Sequence, residues 1–253
     1  MSELLLSAQN LVKRFGGLAA VNGVSVDLHR GRIHAVIGPN GAGKSTLTNL
    51  LSGDLPTTSG QIRLNGQDIT GLSPERISRQ GLGRSYQKTN IFLPFTVREN
   101  VRLAAQSRER HAPFNPLHWF SAATHMAEAN RRCERALELA GLTARAGSVA
   151  AATSHGEQRQ LEIAMTLATE PTVLLLDEPL AGMGAAEAET MVALLHRLKA
   201  EHAIMLVEHD MDAVFALADV LTVMVNGQVI ASGTPEQIRN DEGVQAAYLG
   251  EEH

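Results

Sequence analysis

A glycine-rich stretch, GPNGAGKS at residues 38–45, follows a short apolar run and precedes a helical pattern. Its glycines let the backbone curl so that N–H groups point inward at phosphate oxygens, and the following helix adds its positive end. We expect Lys44 to reach the β- and γ-phosphates of a bound nucleotide and the Ser45 hydroxyl to coordinate Mg²⁺. The residues predicted to contact the nucleotide here are Gly38, Pro39, Asn40, Gly41, Ala42, Gly43, Lys44, Ser45 and Thr46.

Two adjacent carboxylates, Asp177 and Glu178, end a second apolar run in TVLLLDEP. A carboxylate at a strand end lies at the carboxyl edge of an open α/β sheet, where ligands bind. Asp177 is suited to the Mg²⁺ shell, and Glu178 to polarising the water that attacks the γ-phosphate. His209 follows a further apolar run in AIMLVEHD, which predicts a contact with the γ-phosphate from another strand end.

A second candidate anion site begins in TSHGEQRQLEIA, residues 153–164. Ser154 and Glu157 have the spacing of a capping box, which fixes the start of a helix. The exposed helix end would present the Ser154 hydroxyl, the Gly156 backbone and the helix dipole, with no anion of its own. The predicted apolar face of this helix comprises Leu161, Ala164, Met165 and Ala168.

The elements that must position these residues form an α/β core with an antiparallel edge. Buried parallel strands are predicted at Ile33–Ile37, Val173–Leu176 and Ala203–Val207. Asn-Gly pairs between alternating apolar residues are typical of hairpin turns. These pairs are Asn22-Gly23, Asn65-Gly66 and Asn226-Gly227.

Helix boundaries are marked as well. Ser73 before Pro74 predicts a helix start, and Gly81 a stop. Two further capping boxes are predicted, at Thr96 with Glu99 and at Thr234 with Gln237. Residues 97–170 are predicted to be nearly all helical, as a subdomain inserted into the core. Its loop at 111–120 holds the one tryptophan, Trp119, which is interpreted as part of a packed surface loop, with a partner contact as the alternative.

Composition narrows the classes of protein. The net charge is −5, which does not favour a nucleic-acid partner, and 44% of residues are apolar, enough for a hydrophobic core. Cys133 is the only cysteine, which excludes an internal disulfide and a cysteine-based zinc site. No secretion signal is recognised, and no apolar run reaches the ~18–20 residues of a membrane span. We therefore expect a cytoplasmic chain that depends on other chains for any membrane-spanning part.

Taken in order, these motifs resemble the nucleotide-binding subunit of ABC transporters over nearly the whole chain. The resemblance implies one P-loop cassette domain over 1–253, in which 1–88 and 171–253 form a RecA-like α/β core with an antiparallel β subdomain and 89–170 form the helical subdomain. It assigns Gln87 to the glutamine loop, which senses Mg²⁺ and the attacking water, and His209 to the switch. It also places Phe15 against the adenine ring.

The resemblance explains why one chain would carry two anion sites. Two subunits would pack head-to-tail, so that each ATP lies between one phosphate loop and the Ser154 and Gly156 donors of the other subunit. The sequence departs from the family pattern in the signature at His155 and Glu157, and at Gly184, where many members have an aspartate. The departure at Gly184 affects the position whose aspartate, in the family, links the nucleotide sites of the two subunits.

A narrower resemblance, carried by stretches such as FLPFTVRENV and GTPEQIRNDEGVQAAYLGEE, is to ATPase subunits of branched-chain amino-acid importers and related small-solute systems. It implies permease subunits in the membrane, a second ATPase subunit that is identical or a sibling, an indirect solute-binding protein, and a location on the cytoplasmic face of the membrane. The alternatives are an exporter of the lipopolysaccharide type and a soluble ABC ATPase outside transport. The resemblance implies that other subunits, and not this chain, contact the solute and determine its identity.

Overall fold

Two units make up the chain in the computed structural model, which describes residues 2–85, 90–108, 118–208 and 211–249. The side chains at 118–125, 212 and 247–249 are outside this description. The first unit comprises Met1–Arg84, Thr172–Ala181 and Leu195–His253, and the second comprises Ser85–Pro171 and Gly182–Leu194. Residues 182–194, which the sequence assigns to the core, are thus grouped with the helical part. The prediction of a single domain over 1–253 stays a prediction.

Strands and helices alternate along the first unit, and helices dominate the second. The strands are β1 Leu4–Phe15, β2 Leu18–His29, β3 Ile33–Ile37, β4 Ser59–Leu64, β5 Gln67–Asp68, β6 Leu82–Arg84, β7 Val173–Asp177, β8 Ala203–Val207, β9 Val220–Val225 and β10 Gln228–Gly233. The helices are α1 Lys44–Leu51, α2 Pro74–Arg79, α3 Val97–Gln106, α4 His118–Leu139, α5 His155–Leu167, α6 Ala185–Leu198, α7 Met211–Leu217, α8 Pro235–Arg239 and α9 Glu242–Leu249.

A six-stranded sheet in the order β10-β9-β3-β8-β7-β6 forms the centre of the first unit. The pairs β9–β3, β3–β8, β8–β7 and β7–β6 are parallel, and β10 pairs with β9 in the antiparallel sense. Every residue of β3, β7 and β8 is buried, as expected for strands covered on both faces. The predicted α/β class and its three buried strands are confirmed.

A four-stranded sheet in the order β2-β1-β4-β5 supplies the antiparallel part of the first unit. Its apolar face and that of α1 contribute to one cluster of buried side chains that also includes residues of β3, β7 and β8. Each fully buried Leu, such as Leu6, Leu47 or Leu64, contributes about 2 kcal/mol to folding.

Two of the three Asn-Gly turns are confirmed, and one is wrong. Asn65-Gly66 joins β4 to β5, and Asn226-Gly227 joins β9 to β10, with positive φ at all four residues. Asn22-Gly23 instead lies inside β2, where Leu11 pairs with Val24 and Val12 with Asn22, so that Gly23 is the extra residue of a β-bulge. A glycine with positive φ suits such a bulge as well as a turn. The turn between β1 and β2 is Gly16-Gly17.

Helix α2 begins where the sequence predicts, after Ser73, and ends at Arg79, two residues before Gly81. Its N-cap serine makes no side-chain capping bond. The capping boxes of Thr96 with Glu99 and of Thr234 with Gln237 are both present. Hydrogen bonds from Thr96 lower the pKa of Glu99, so the α3 box is formed by the carboxylate.

The second unit packs α3, α4 and α5 around small apolar side chains, including Val101, Ala136 and Ala164. Cys133 is buried on α4, and burial raises the pKa of its thiol to about 11. Residues 111–117 of the predicted loop lie outside the described residues. The prediction that the loop extends to residue 120 is wrong, because α4 begins at His118 and its backbone includes Trp119. Within the described part of the chain, no helix has the length and apolar character to cross a membrane.

Candidate functional site

The phosphate loop connects the buried strand β3 to α1, as the sequence predicts. Ala42 donates its backbone N–H to the Pro39 carbonyl at 3.1 Å, which closes a turn within the loop. The Lys44 ammonium donates to the carbonyls of Gly38 at 2.5 Å and Pro39 at 2.9 Å, so the cation is held along the loop. Asn40, Gly41 and Ser45 are exposed, which leaves the mouth of the loop open to a ligand.

Close approach of the neighbouring backbone explains the glycine at the helix start. Gly43 is the N-cap residue of α1 and has a φ of 103°, in the left-handed region. A Cβ atom there would lie 2.4 Å from the carbonyl oxygen of Ala20 on β2. The loop is held from another side by the Gly227 N–H, which donates to the Ala42 carbonyl at 3.0 Å. The shape of the loop is therefore constrained by its packing against β2 and against the turn between β9 and β10.

The register of three neighbouring strands brings the phosphate loop and the carboxylate pair to the same edge of the sheet. Val207 at the end of β8 pairs with Val36 on β3 and with Asp177 on β7. The phosphate loop, which follows β3, and the carboxylate pair at the end of β7 therefore begin at the same height along the strands, on either side of β8. Asp177 is 5% exposed, and Glu178 is half-buried.

Glu178 is held in a conformation that side chains rarely adopt. Its φ is 48°, and its backbone N–H donates to the Val207 carbonyl at 2.8 Å. The left-handed region costs a non-glycine residue about 1–2 kcal/mol. Such strain is often found at functional sites, and here it turns the chain sharply as it leaves β7.

Glu208, which the sequence analysis missed, ties down the chain beyond Glu178. It is 1% exposed, and its Oε1 accepts the backbone N–H of Leu180 at 2.9 Å. The only sequence signal was its place directly before His209. A buried carboxylate needs such donors, so this contact fixes the segment after the carboxylate pair against the end of β8.

Phe15 ends β1 and is 49% exposed, as a surface for stacking requires. The Lys13 ammonium lies 5.2 Å from the centroid of its ring and also donates to the Pro56 carbonyl at 2.8 Å. Cation–π attraction and this hydrogen bond hold Lys13 over the ring.

The second candidate anion site starts α5 in the predicted manner. Ser154 is the N-cap residue, and the capping box with Glu157 is complete. Arg145 pairs with the Glu157 carboxylate at 2.7 Å, which supports the box from outside the helix. Of the predicted apolar face, Leu161, Ala164 and Ala168 are buried, whereas Met165 is half-buried.

The donors of this site are occupied, in contrast to the expectation of a site with no anion of its own. Oε1 of Glu187 on α6 accepts from the Ser154 hydroxyl at 2.8 Å and from the Gly156 N–H at 3.1 Å. Both bonds lower the pKa of Glu187, the Ser154 hydroxyl having the larger effect, and stabilise its charged form. No sequence pattern indicates this contact, because it joins two helices far apart in the chain.

The phosphate loop, Asp177, Glu178 and Phe15 belong to the first unit, and Ser154 and Gly156 to the second. Gln87 and His209 lie outside the described residues, so their roles stay predictions. The chemistry of the donors fits Mg²⁺, since an exposed hydroxyl at Ser45 and a carboxylate at Asp177 are the oxygen ligands that this ion prefers.

A phosphate loop and a carboxylate pair at the edge of a mostly parallel sheet define a nucleotide-binding protein of the P-loop class. Comparison with known families makes the class specific. Residues 21–181 match the family described as ABC transporter, and residues 228–253 match the one described as branched-chain amino acid ATP-binding cassette transporter. The chain belongs to the ABC transporter family and is one of its ATPases.

Similar proteins cover the chain from end to end. It is 41% identical over 99% of its length to the high-affinity branched-chain amino acid transport ATP-binding protein BraF of Pseudomonas aeruginosa, and equally to LivG of Escherichia coli, each matched over 100% of its own length. It is 33% identical to a probable LivG of Methanocaldococcus jannaschii, with 98% of each chain covered.

Two solved structures confirm the fold. A nucleotide-free ATP-binding cassette from an ABC transporter matches with a TM-score of 0.82 and 32% identity, over 98% of this chain and 100% of the other. A cassette solved in its ADP conformation matches with a TM-score of 0.83 and 31% identity, over 99% and 100%.

Proposed function

We propose that this chain is the energy-coupling ATPase of an importer for branched-chain amino acids or related small solutes. One observation supports the ATPase part of this proposal. The phosphate loop and Glu178 follow β3 and β7 at the same height along these two strands. The solute class rests on the names of the full-length relatives and on the family matched at residues 228–253.

Lys44 and the loop N–H groups bind the β- and γ-phosphates of ATP, and Phe15 stacks on the adenine. Ser45, Asp177 and Gln87 are the proposed holders of Mg²⁺, which when bound neutralises phosphate charge. Glu178 orients the attacking water and accepts its proton, and His209 contacts the γ-phosphate. The strained backbone conformation of Glu178 fixes the position and direction from which its side chain extends.

The working form is a head-to-tail dimer, with this chain or a sibling ATPase as the second subunit. The Ser154 hydroxyl and the Gly156 N–H of one subunit then face the γ-phosphate bound by the other. ATP favours the closed dimer because only there does it contact both half-sites, and hydrolysis removes that preference.

The proposed permease contact is an exposed apolar cluster in the second unit, which we call the aromatic corner: Phe92, Leu93, Phe95 and Val149. The rings of Phe92 and Phe95 stack with centroids 5.5 Å apart. The backbone N–H groups of Ala150 and Ala151 donate to the carbonyls of Phe95 at 2.8 Å and Leu93 at 3.0 Å, which brings the two segments together. Exposed apolar clusters of this kind mark protein contacts.

The ATPase part is tested with Glu178→Gln, which should bind ATP with unchanged affinity and hydrolyse it 10²–10⁴-fold more slowly, roughly the contribution of a general base. Glu189→Gln on α6 is the matched control, since Glu189 is exposed and outside the site. Unchanged hydrolysis in Glu178→Gln would remove Glu178 from the mechanism.

The transport part is tested by gentle purification from native membranes. We expect permease subunits to co-purify in stoichiometric amounts, and Phe92→Ser with Phe95→Ser to lose them while ATP binding is kept. Recovery of soluble partners alone would contradict the importer assignment and leave the ATPase intact. The permeases and their solute-binding protein would then identify the solute, and proteoliposomes would measure its uptake.

A further inference from the structure

Glu187 occupies the donors that the proposed function reserves for a phosphate. Its Oε1 accepts both the Ser154 hydroxyl and the Gly156 N–H, at 2.8 and 3.1 Å, and its Oε2 lies 3.4 Å from the backbone nitrogen of Gly184. A carboxylate oxygen carries the charge and the acceptor geometry of a phosphate oxygen. The contact is therefore the one that an incoming γ-phosphate would make.

Gly156 admits this carboxylate because it has no side chain. A Cβ at this position would lie 2.8 Å from Cδ and from Oε1 of Glu187, and 3.0 Å from its Cβ. The side chain of Glu187 thus lies directly against the backbone of the first turn of α5. It leaves no room on these two donors for a second anion while it stays in place.

Two of the departures from the family pattern, at His155 and Gly184, lie near the same carboxylate. His155 interacts electrostatically with Glu187, and its Nε2 would lie 3.4 Å from a Cβ at Gly182. Gly184 stands where many members carry an aspartate, and its N–H points to Glu187 instead. The chain thus has no acidic side chain at residue 184 but has one three residues later, at Glu187.

We propose that Glu187 is an internal occupant of the signature half-site, which holds Ser154 and Gly156 in place in the free subunit and yields them to the γ-phosphate of the facing subunit's ATP. This inference rests on the proposed head-to-tail dimer. Because the carboxylate and the phosphate compete for the same donors, the dimer closes only when nucleotide binding outweighs the contacts of Glu187. The residue sets a threshold for closure and positions the donors until then.

The test measures ATP-dependent dimerisation by sedimentation in a Glu178→Gln background, with the dimer partner that co-purification identifies. Glu187→Gln removes the charge, and Glu187→Asp keeps the charge but shortens the side chain by one methylene. We expect both to lower the ATP concentration for half-dimerisation about tenfold, the effect of one charged hydrogen bond. Glu189→Gln, which makes the same charge change on the same helix, should leave it unchanged.

Binding of a fluorescent ATP analogue to the monomer should be the same in all variants, because Glu187 is not part of the phosphate-loop site. If Glu178→Gln alone dimerises and the Glu187 variants need as much ATP or more, Glu187 is not a competitor and the inference is wrong. If Glu178→Gln does not dimerise with ATP at all, the proposed head-to-tail dimer is wrong. The proposed replacement of Glu187 by the γ-phosphate is then wrong as well.

Discussion

The carboxylate of Glu208 accepts the backbone N–H of Leu180 at 2.9 Å, which joins the end of β8 to the segment that follows β7. Both residues are buried, Glu208 almost completely. The contact lies two residues beyond Glu178 and one residue before His209. It therefore fixes the backbone segment that follows Glu178 against the end of β8.

We predict that Glu208→Ala lowers the free energy of unfolding by about 1–3 kcal/mol, because the buried Leu180 N–H loses its acceptor. It should also lower kcat more than it raises KM, since the Glu178 segment is less well held. Glu208→Gln keeps an acceptor oxygen and should recover most of both losses. Chemical denaturation and steady-state kinetics measure the two effects, and wild-type values for Glu208→Ala would contradict the assignment.

Backbone strain at Glu178 gives a prediction that reverses the usual order of alanine and glycine. At a φ of 48°, Glu178→Gly should be more stable than Glu178→Ala by about 1 kcal/mol, because glycine adopts this region freely. At exposed Glu189 inside α6 the order should be normal, with glycine about 1 kcal/mol less stable than alanine. Thermal unfolding of the four variants decides, and the same order at both positions would contradict strain at Glu178.

Two glycines of the phosphate loop should differ in how much stability the protein loses when each is replaced by alanine. Gly43→Ala should destabilise the protein by several kcal/mol, as its Cβ would lie 2.4 Å from the Ala20 carbonyl oxygen. Gly41 has a φ of 79°, but a methyl group there would meet open space, so Gly41→Ala should cost only about 1 kcal/mol. Unfolding curves measure the difference, and equal losses would contradict it.

Buried His34 on β3 makes stability depend on pH. Burial is the main cause that lowers its pKa from 6.5 to about 4, although a hydrogen bond to the Asp27 carbonyl opposes the shift. Between those pH values the unfolded chain binds the extra proton, so the free energy of unfolding falls as pH falls from 6.5 to about 4. The difference between these two pKa values corresponds to a total loss of about 3 kcal/mol.

The matched variants for this prediction are His34→Gln, which should flatten the stability profile in that pH range, and His196→Gln on the exposed face of α6, which should not. Urea titrations at half-unit pH steps measure the profile. A profile for His34→Gln that is as steep as that of the wild type would assign the pH dependence to other groups.

The buried parallel strands and several helix starts could be predicted from sequence because their signals are local. Ile33–Ile37 and Ala203–Val207 are continuous apolar runs bounded by polar turns, and both are strands with those bounds. The three capping boxes are likewise contained within four residues each. Asn22-Gly23 shows the limit of such signals, because the same dipeptide suits a bulge, and only pairing with β1 decides between them.

The motif residues of the candidate site could be predicted from sequence, whereas the residues that hold them in place could not. Lys44 and Glu178 follow from patterns, whereas Glu187 and Glu208 are acidic residues whose partners lie on other elements. Nothing in the residues around them specifies a contact with Ser154 or Leu180, since such contacts depend on how helices and strands pack. The left-handed backbone at Glu178 has the same origin, because a glutamate has no preference for it.

The interleaved order of the parallel strands has a consequence for synthesis of the protein. Strand β3, which carries the phosphate loop, pairs with β8 and β9, both of which come late in the chain. At ordinary rates of translation the loop leaves the ribosome on the order of ten seconds before its neighbours exist. Strand β3 therefore has none of its sheet partners during the early steps of folding, and the nascent chain must keep this apolar strand from aggregating until those partners arrive.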